Sequence, residues 1–428
     1  MTRPTGGPPI IVLCPHFEPD TAPTGTVMTR IVAELVDRGH VVHVVTSLPW
    51  YRHHRIDPGW TGRLVRREVT PWGSITRVHP FPGDDKSNLV RRAIGFVGYS
   101  IVAGLQCVRV GGWGRRADAV IAMSPPLTLG LTGWLAAVLR RAPLIFNIQD
   151  VFPDAAVETG AITNRRIIAA ASWLERVSYR AADAVTVLSD DLRDNVVAKL
   201  PSKAAPRVHV IPNFVDTEAI TPLDRLTDYR RELDLGDGPV VLYAGNVGFS
   251  QSLELVVAAA RAMPAVTFLV NGDGAARASL EQSARDLTNL RFAGYIEPSR
   301  LAELLATGDV HVVPLRAGLG RVSVPSKTYS IMAAGRPVVA AIDADTAVPR
   351  ILAASGGGVS VAPDDPVAFV EAVRALVEDP ARGRRLGALG REWVVREASP
   401  SAVGAAYHDL VLALRREGPR SLKAPRRR

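Results

Sequence analysis

Cysteine and lysine are the scarcest of the informative residue types. The 428-residue chain has two cysteines, Cys14 and Cys107, each in an apolar stretch. They supply neither a disulfide framework nor the paired spacing of a zinc site, so both read as reduced core side chains. No low-complexity tract, internal repeat or GxGxxG fingerprint is present, and no apolar run is long enough for a confident membrane span. These absences set aside disulfide scaffolds, solenoids and the usual dinucleotide loop. The opening MTRPTGGPP lacks the apolar core of a signal peptide, so the expected compartment is the cytoplasm. Only Lys86, Lys199, Lys203, Lys327 and Lys423 among the 51 basic residues are lysine. Arginine is the default cation here, and a lysine at a chemically suggestive position carries information.

What is present is an ordinary globular composition, 47% hydrophobic and 22% charged, in a chain too long for one core. The formal net charge of +9 suits an anionic small molecule, nucleic acid or an anionic membrane surface, and does not choose between them. Neither a helix-turn-helix nor aromatic-basic interleaving supports a nucleic-acid partner. Apolar strands are predicted at 9–14, 41–46, 75–79, 118–123, 143–148, 183–188 and 208–211, with helices between most of them, and a second series begins at 239. The alternation predicts α/β architecture, two Rossmann-like doubly wound halves facing across a ligand-binding cleft. Their expected bounds are 1–214 and 215–399, followed by a helix and basic tail at 400–428. Ser399 is placed to cap that helix, which is expected to pack back onto the first half.

The stretch 322–341 reads VSVPSKTYSIMAAGRPVVAA. Ser326 is expected to cap a short helix that Gly335 ends, and 337–341 is an apolar strand. Such a loop-to-helix entry aims backbone N–H groups at whatever precedes it, a natural anion site flanked here by Arg321 and Lys327. In the first half, Gly25 precedes a predicted helix where backbone can approach a phosphate. The segment 88–116 is uncharged from 94 to 108 and bracketed by arginines that include Arg91 and Arg92. It reads either as a core helix over the first sheet or as an interfacial helix whose outer face, with Phe96 and Tyr99, lies in an anionic bilayer.

IPNFVDTE at the junction of the halves, LYAGNVGFSQSLE, VNGDGAA, FAGYIEPSRLAELLATGDVHVVPL and VPSKTYSIMAAGRPVVA occur in that order. Together they resemble the retaining glycosyltransferases of family 4, which have the GT-B fold. LPWYRHHRIDPGW, SNLVRRAIGF and NIQDVFPDAAVETG resemble the colanic-acid and O-antigen type within it. The resemblance implies transfer of a hexose or N-acetylated amino sugar, with retention, from a nucleotide-sugar, expected to be UDP-linked, without a required metal or other cofactor. It implies a polyprenyl-diphosphate-linked saccharide acceptor at the inner face of the plasma membrane, in cell-surface polysaccharide synthesis, and a nucleotide on the second half.

Site residues follow from the same resemblance and from strand ends. Asp150 is the candidate to orient or deprotonate the acceptor hydroxyl and Gln149 to hold the donor sugar. Asn246, Asp273, Gly274, Tyr295 and Ile296 join Gly25, Arg316, Arg321, Ser326, Lys327 and Ser330 as candidates for the donor. Two glutamates usual in the family for sugar and ribose contacts are replaced by Val322 and Ser330, and the Arg and Lys usual after the first strand of the second half are absent from 245–251, so the phosphate charge falls to Arg316, Arg321 and Lys327. Asp343 and Asp345 could form a metal-binding Asp-x-Asp pair, although so short a match arises readily by chance; a contact to a sugar hydroxyl is the preferred reading. A GT-B nucleotide-sugar 2-epimerase and a non-catalytic nucleotide-sugar-binding partner remain open as alternatives.

Overall fold

The structure is a computed structural model that describes residues 7–420, except 53–54, 82–88, 152, 155–163 and 321–323, and gives only the backbone of 89–94. The chain divides into two units, one up to Asn213 together with the last helix from Val403, the other Phe214–Ala402.

The first unit runs β1 (Ile10–Leu13), α1 (Pro23–Asp37), β2 (Val42–Ser47), β3 (Val65–Thr70), β4 (Gly73–Val78), α2 (Leu89–Arg109), β5 (Ala119–Ser124) and α3 (Thr128–Leu139). It continues with β6 (Leu144–Ile148), α4 (Arg165–Ala181), β7 (Ala184–Val187), α5 (Asp190–Ala198) and β8 (Val208–Val210). The strand order is β3-β4-β2-β1-β5-β6-β7-β8, and every pair but β3/β4 is parallel. β1 is IIVL with every side chain buried, as a strand covered on both faces requires. The single predicted strand at 75–79 is one arm of a β3/β4 hairpin. β3 reads VRREVT, an edge strand whose charged residues hid it from a search for apolar runs.

Helices α2, α3 and α4 lie side by side over the sheet and close its core. Buried Arg140, just after α3, donates from Nη1 to the carbonyls of Val108 (3.0 Å), Val110 (2.7 Å) and Gly112 (3.0 Å), and so caps the end of α2. Tyr99 of α2 is also buried, with its hydroxyl donating to the Cys14 carbonyl at 2.7 Å. This corrects the outward placement expected for Tyr99: its ring closes the core, and Phe96 is only half-exposed. The side chains of Arg91 and Arg92 lie outside the described residues. Among the described residues no helix is long and apolar enough to cross a membrane.

The second unit carries α6 (Asp228–Glu232), β9 (Val240–Ala244), α7 (Glu254–Ala262), β10 (Thr267–Asn271), α8 (Arg277–Ser283), β11 (Leu290–Ala293) and α9 (Leu301–Thr307). β12 (Val310–Pro314), α10 (Lys327–Ala333), β13 (Val338–Ala341), α11 (Ala347–Ser355), β14 (Gly358–Val361), α12 (Pro366–Glu378) and α13 (Pro380–Glu397) complete it. Its six parallel strands are ordered β11-β10-β9-β12-β13-β14. The chain therefore winds one way from β9 and the other way from β12, and a crevice opens at the carboxyl ends of these two strands. Neither α11 nor β14 was among the predicted elements.

Ser399 accepts a hydrogen bond from Ala402 N (3.1 Å) at the start of α14 (Pro400–Glu417), the cap expected there. The helix docks on the first unit. Tyr407 accepts at its hydroxyl from the Asn147 amide (2.7 Å), and Gly404 leaves room for the Glu34 side chain.

Candidate functional site

In the second unit a cavity of about 540 Å³ opens at this switch point, lined by the ends of β9, β10 and β12 and by the start of α10. Of the candidates, Asn246, Tyr295, Ile296, Ser326, Lys327 and Ser330 line it. Lys327 is the one cation among the described lining residues. Its Nζ sits 3.9 Å from the ring centroid of Tyr243 and has no carboxylate within ion-pairing distance among the described residues. Burial without a compensating anion pushes its pKa down from 10.5 to about 7. A lysine so placed is short of an anion.

Two glycines make the close approach possible. Gly245 has φ +137°, and a Cβ there would fall 2.7 Å from Lys327 Nζ. Gly274 lets the loop after β10 nest beneath the loop after β9, because a Cβ would meet the Val247 carbonyl at 2.4 Å and Asn246 Oδ1 at 2.7 Å. Asp273 is exposed and receives Gly274 N at 2.7 Å, while the Tyr295 hydroxyl donates to the Asp273 carbonyl at 3.1 Å. Ser330 lies one turn beyond Lys327 on α10, facing the same cavity.

Ser326 does not cap α10, contrary to expectation. It is itself helical (φ −58°, ψ −23°), its side chain makes no cap bond, and Thr328 N bonds the Pro325 carbonyl at 3.0 Å. A cap side chain works from extended backbone, which Ser326 does not have. Gly335 does end the helix in the left-handed conformation, with Arg336 N closing on the Ile331 carbonyl at 3.2 Å. Arg316 is exposed and spent on Glu254 (2.7 Å) and the Phe249 carbonyl (2.7 Å). Arg321 and Val322 lie outside the described residues.

Asp343 ties down the loop that follows β12. Its two oxygens accept from Gly318 N at 2.9 Å each, and Oδ2 also accepts from Gly320 N at 2.9 Å. The Gly318 amide leads in holding this carboxyl below its usual pKa. Asp364 grips the same loop through Ala317 N at 3.0 Å and also bonds Ser252.

The remaining candidates belong to the first unit. Gly25 falls inside the first turn of α1 rather than before it, and the space of its missing Cβ is taken by His16 Cβ at 3.0 Å and by the His16–Phe17 backbone. Gln149 is buried and engaged at both ends of its amide, donating to Asn147 Oδ1 (2.8 Å) and accepting from Asn213 (3.1 Å). Asp150 next to it is exposed, although crowding by the surrounding chain raises its carboxyl pKa. Gly245 and Asn271 were missed as lining residues, and Tyr243 as the ring beneath Lys327. Each ends an apolar strand and reads as core or turn, and nothing in the sequence places Tyr243 under Lys327.

Residues 24–213 match the glycosyl transferase 4-like domain and residues 238–379 the glycosyl transferases group 1 domain. The sucrose-phosphate synthase of Thermosynechococcus elongatus superposes over 95% of this chain and 99% of its own, with a TM-score of 0.70 at 20% identity. The chain is a glycosyltransferase of GT-B fold. The transferase is 27% identical to WcaI of Escherichia coli K12, named for colanic acid biosynthesis, over 85% of this chain and 91% of that one. It is 28% identical to the glycosyltransferase WbjE of Pseudomonas aeruginosa over 70% and 75% of the two chains. It is 29% identical to the alpha-maltose-1-phosphate synthase of Mycolicibacterium smegmatis over 63% and 73%. The group 1 domain is the one that contains the Lys327 cavity.

Proposed function

We propose that the transferase moves a hexose or N-acetylated amino sugar from a UDP-linked donor to a polyprenyl-diphosphate-linked saccharide, with retention, in cell-surface polysaccharide synthesis. Its place would be the cytoplasmic face of the plasma membrane, peripheral on an anionic surface. The observation that carries the donor half of this reading is Lys327, a cation without an anion at the rim of a cavity on the sheet's switch point. Breaking the bond from sugar to diphosphate builds positive charge at the anomeric carbon and negative charge on the leaving diphosphate. Lys327 would meet the leaving charge, and the reading requires no metal. Asn246 and Ser330 are within the same cavity to hold polar groups of the donor. Similarity to WcaI supports the polysaccharide half. Similarity to the alpha-maltose-1-phosphate synthase favours a second reading, in which the acceptor is a soluble sugar phosphate.

A thermal-shift panel of UDP, GDP and TDP, with their sugars, on wild type and Lys327→Ala tests the donor half. The uridine ligands should raise the melting temperature of the wild type by mass action, and the variant should lose most of the rise. No shift with any nucleotide would remove the reading at its first step. Label transfer from the stabilising donor to a lipid extract, against transfer to soluble sugar phosphates, separates the two acceptors.

A further inference from the structure

A histidine kept only for structure has its polar atoms bonded or packed away. His16 is different. It lies three residues past β1, and the first sheet reverses its winding between β1 and the neighbouring β5, so this loop stands at the first unit's own switch point. Its Nδ1 is 2.6 Å from Oδ2 of Asp20, whose side chain is 1% exposed. A carboxylate only accepts, so Nδ1 carries the proton and the lone pair is left on Nε2. Nε2 has no hydrogen-bond partner among the described residues and stays open to solvent, the side chain being 12% exposed.

The ring is held from several sides. Trp50 stacks on it, with centroids 5.8 Å apart and planes at 27°, and Tyr51 meets it edge-on at 5.3 Å. Asp20 is fixed in turn by Tyr51 N, which donates to Oδ1 at 3.2 Å. The loop lies outside helix and strand but is braced: Ser47 donates to the Pro15 carbonyl (2.6 Å), buried Arg77 to the Glu18 carbonyl (2.5 Å), and Glu18 N to Thr29 Oγ1 (3.0 Å). Asp150, the candidate from sequence for the acceptor proton, is exposed and has no side-chain partner among the described residues to orient it. An imidazole aimed by a carboxylate, with its second nitrogen open, is the arrangement of a general base. We propose that His16 is a catalytic residue of the transfer and Asp20 its positioning residue. Nε2 takes the proton of the acceptor hydroxyl as that oxygen bonds the anomeric carbon. The bond from this carbon to the diphosphate breaks, its electron pair leaves with the diphosphate, and the proton then passes from Nε2 to water. The step rests on the nucleotide-sugar reading for its leaving group, and it is the same whether the acceptor is lipid-linked or a soluble sugar phosphate.

Label transfer by the full chain, from the nucleotide-sugar that stabilises it to the lipid extract or the sugar phosphates, tests this. His16→Gln is polar but cannot take a proton, and its turnover should fall about a hundredfold. His16→Ala should fall as far and recover at least about tenfold in added imidazole, a rescue that loss of a merely structural side chain would not show. Asp20→Asn should lower turnover by at least about tenfold, because the ring loses the group that aims it. All three variants should keep the thermal shift with nucleotide-sugar. Failure of the donor reading looks different, since the wild type itself would then show no shift. Turnover of His16→Gln within about threefold of wild type overturns the inference. So does a loss in His16→Ala that imidazole leaves unchanged, which would assign His16 to holding the loop.

Discussion

Lys327 owes its low pKa to burial on the Tyr243 ring with no anion beside it, so a bound diphosphate should restore the charged form. The sign follows from linkage. Below pH 7 the free lysine is already protonated and binding takes up no proton; above pH 7 binding must protonate it first. The dissociation constant of a nucleotide-sugar, whose diphosphate does not titrate in this range, should therefore rise as pH increases through 7, approaching about tenfold per unit. Lys327→Ala should bind more weakly by about 1.5–3 kcal/mol at neutral pH and show no such slope. Calorimetry of both proteins across the neutral and alkaline range checks this, and an equal slope in the variant would assign the titration to another group.

At the scale of elements, the site depends on how its loops are held. The described part of the loop after β12 carries no regular structure, and Asp343 and Asp364 supply acceptors for three of its backbone amides. Asp343→Ala would leave Gly318 and Gly320 to solvent. The local cost is on the order of 1–2 kcal/mol, because a charged acceptor is lost but water can replace it. Amide hydrogen exchange at Gly318 and Gly320 should quicken by roughly tenfold while the exchange of β12 and β13 stays unchanged. Quickening throughout the sheet would show instead that Asp343 supports the whole unit. This geometry also explains why an Asp-x-Asp triplet is a poor guide by itself: the same carboxylate that could ligate a metal is equally suited to backbone amides.

At the scale of the molecule, the last helix crosses back and completes the first unit, an arrangement that makes a sequence-remote residue part of its core. Tyr407, 1% exposed, holds the buried amide of Asn147, which also donates to Thr186 at 3.0 Å. Tyr407→Phe removes one partner from a buried polar network and should cost about 1–3 kcal/mol. Differential scanning calorimetry should show the loss in melting temperature, with the uridine-nucleotide shift of the group 1 domain retained. A variant as stable as wild type would mean that Asn147 finds another partner.

The sequence by itself determined the two α/β halves, their division near residue 214 and the helix that Gly335 stops, because buried parallel strands leave apolar runs and a left-handed turn calls for glycine. It also singled out Lys327, through the rarity of lysine in an arginine-rich chain. Tertiary structure alone decided the rest. The β3 edge strand carries charge that masks its pairing, and Tyr243 meets Lys327 only because β9 and α10 converge at the switch point. Tyr99 turned inward and Val97, Ile101 and Leu105 outward because the face of α2 that meets the sheet is set by how it packs on α3 and the strands. All four of these side chains lie on one helix and share its period, so their order in the chain does not say which of them the sheet will cover.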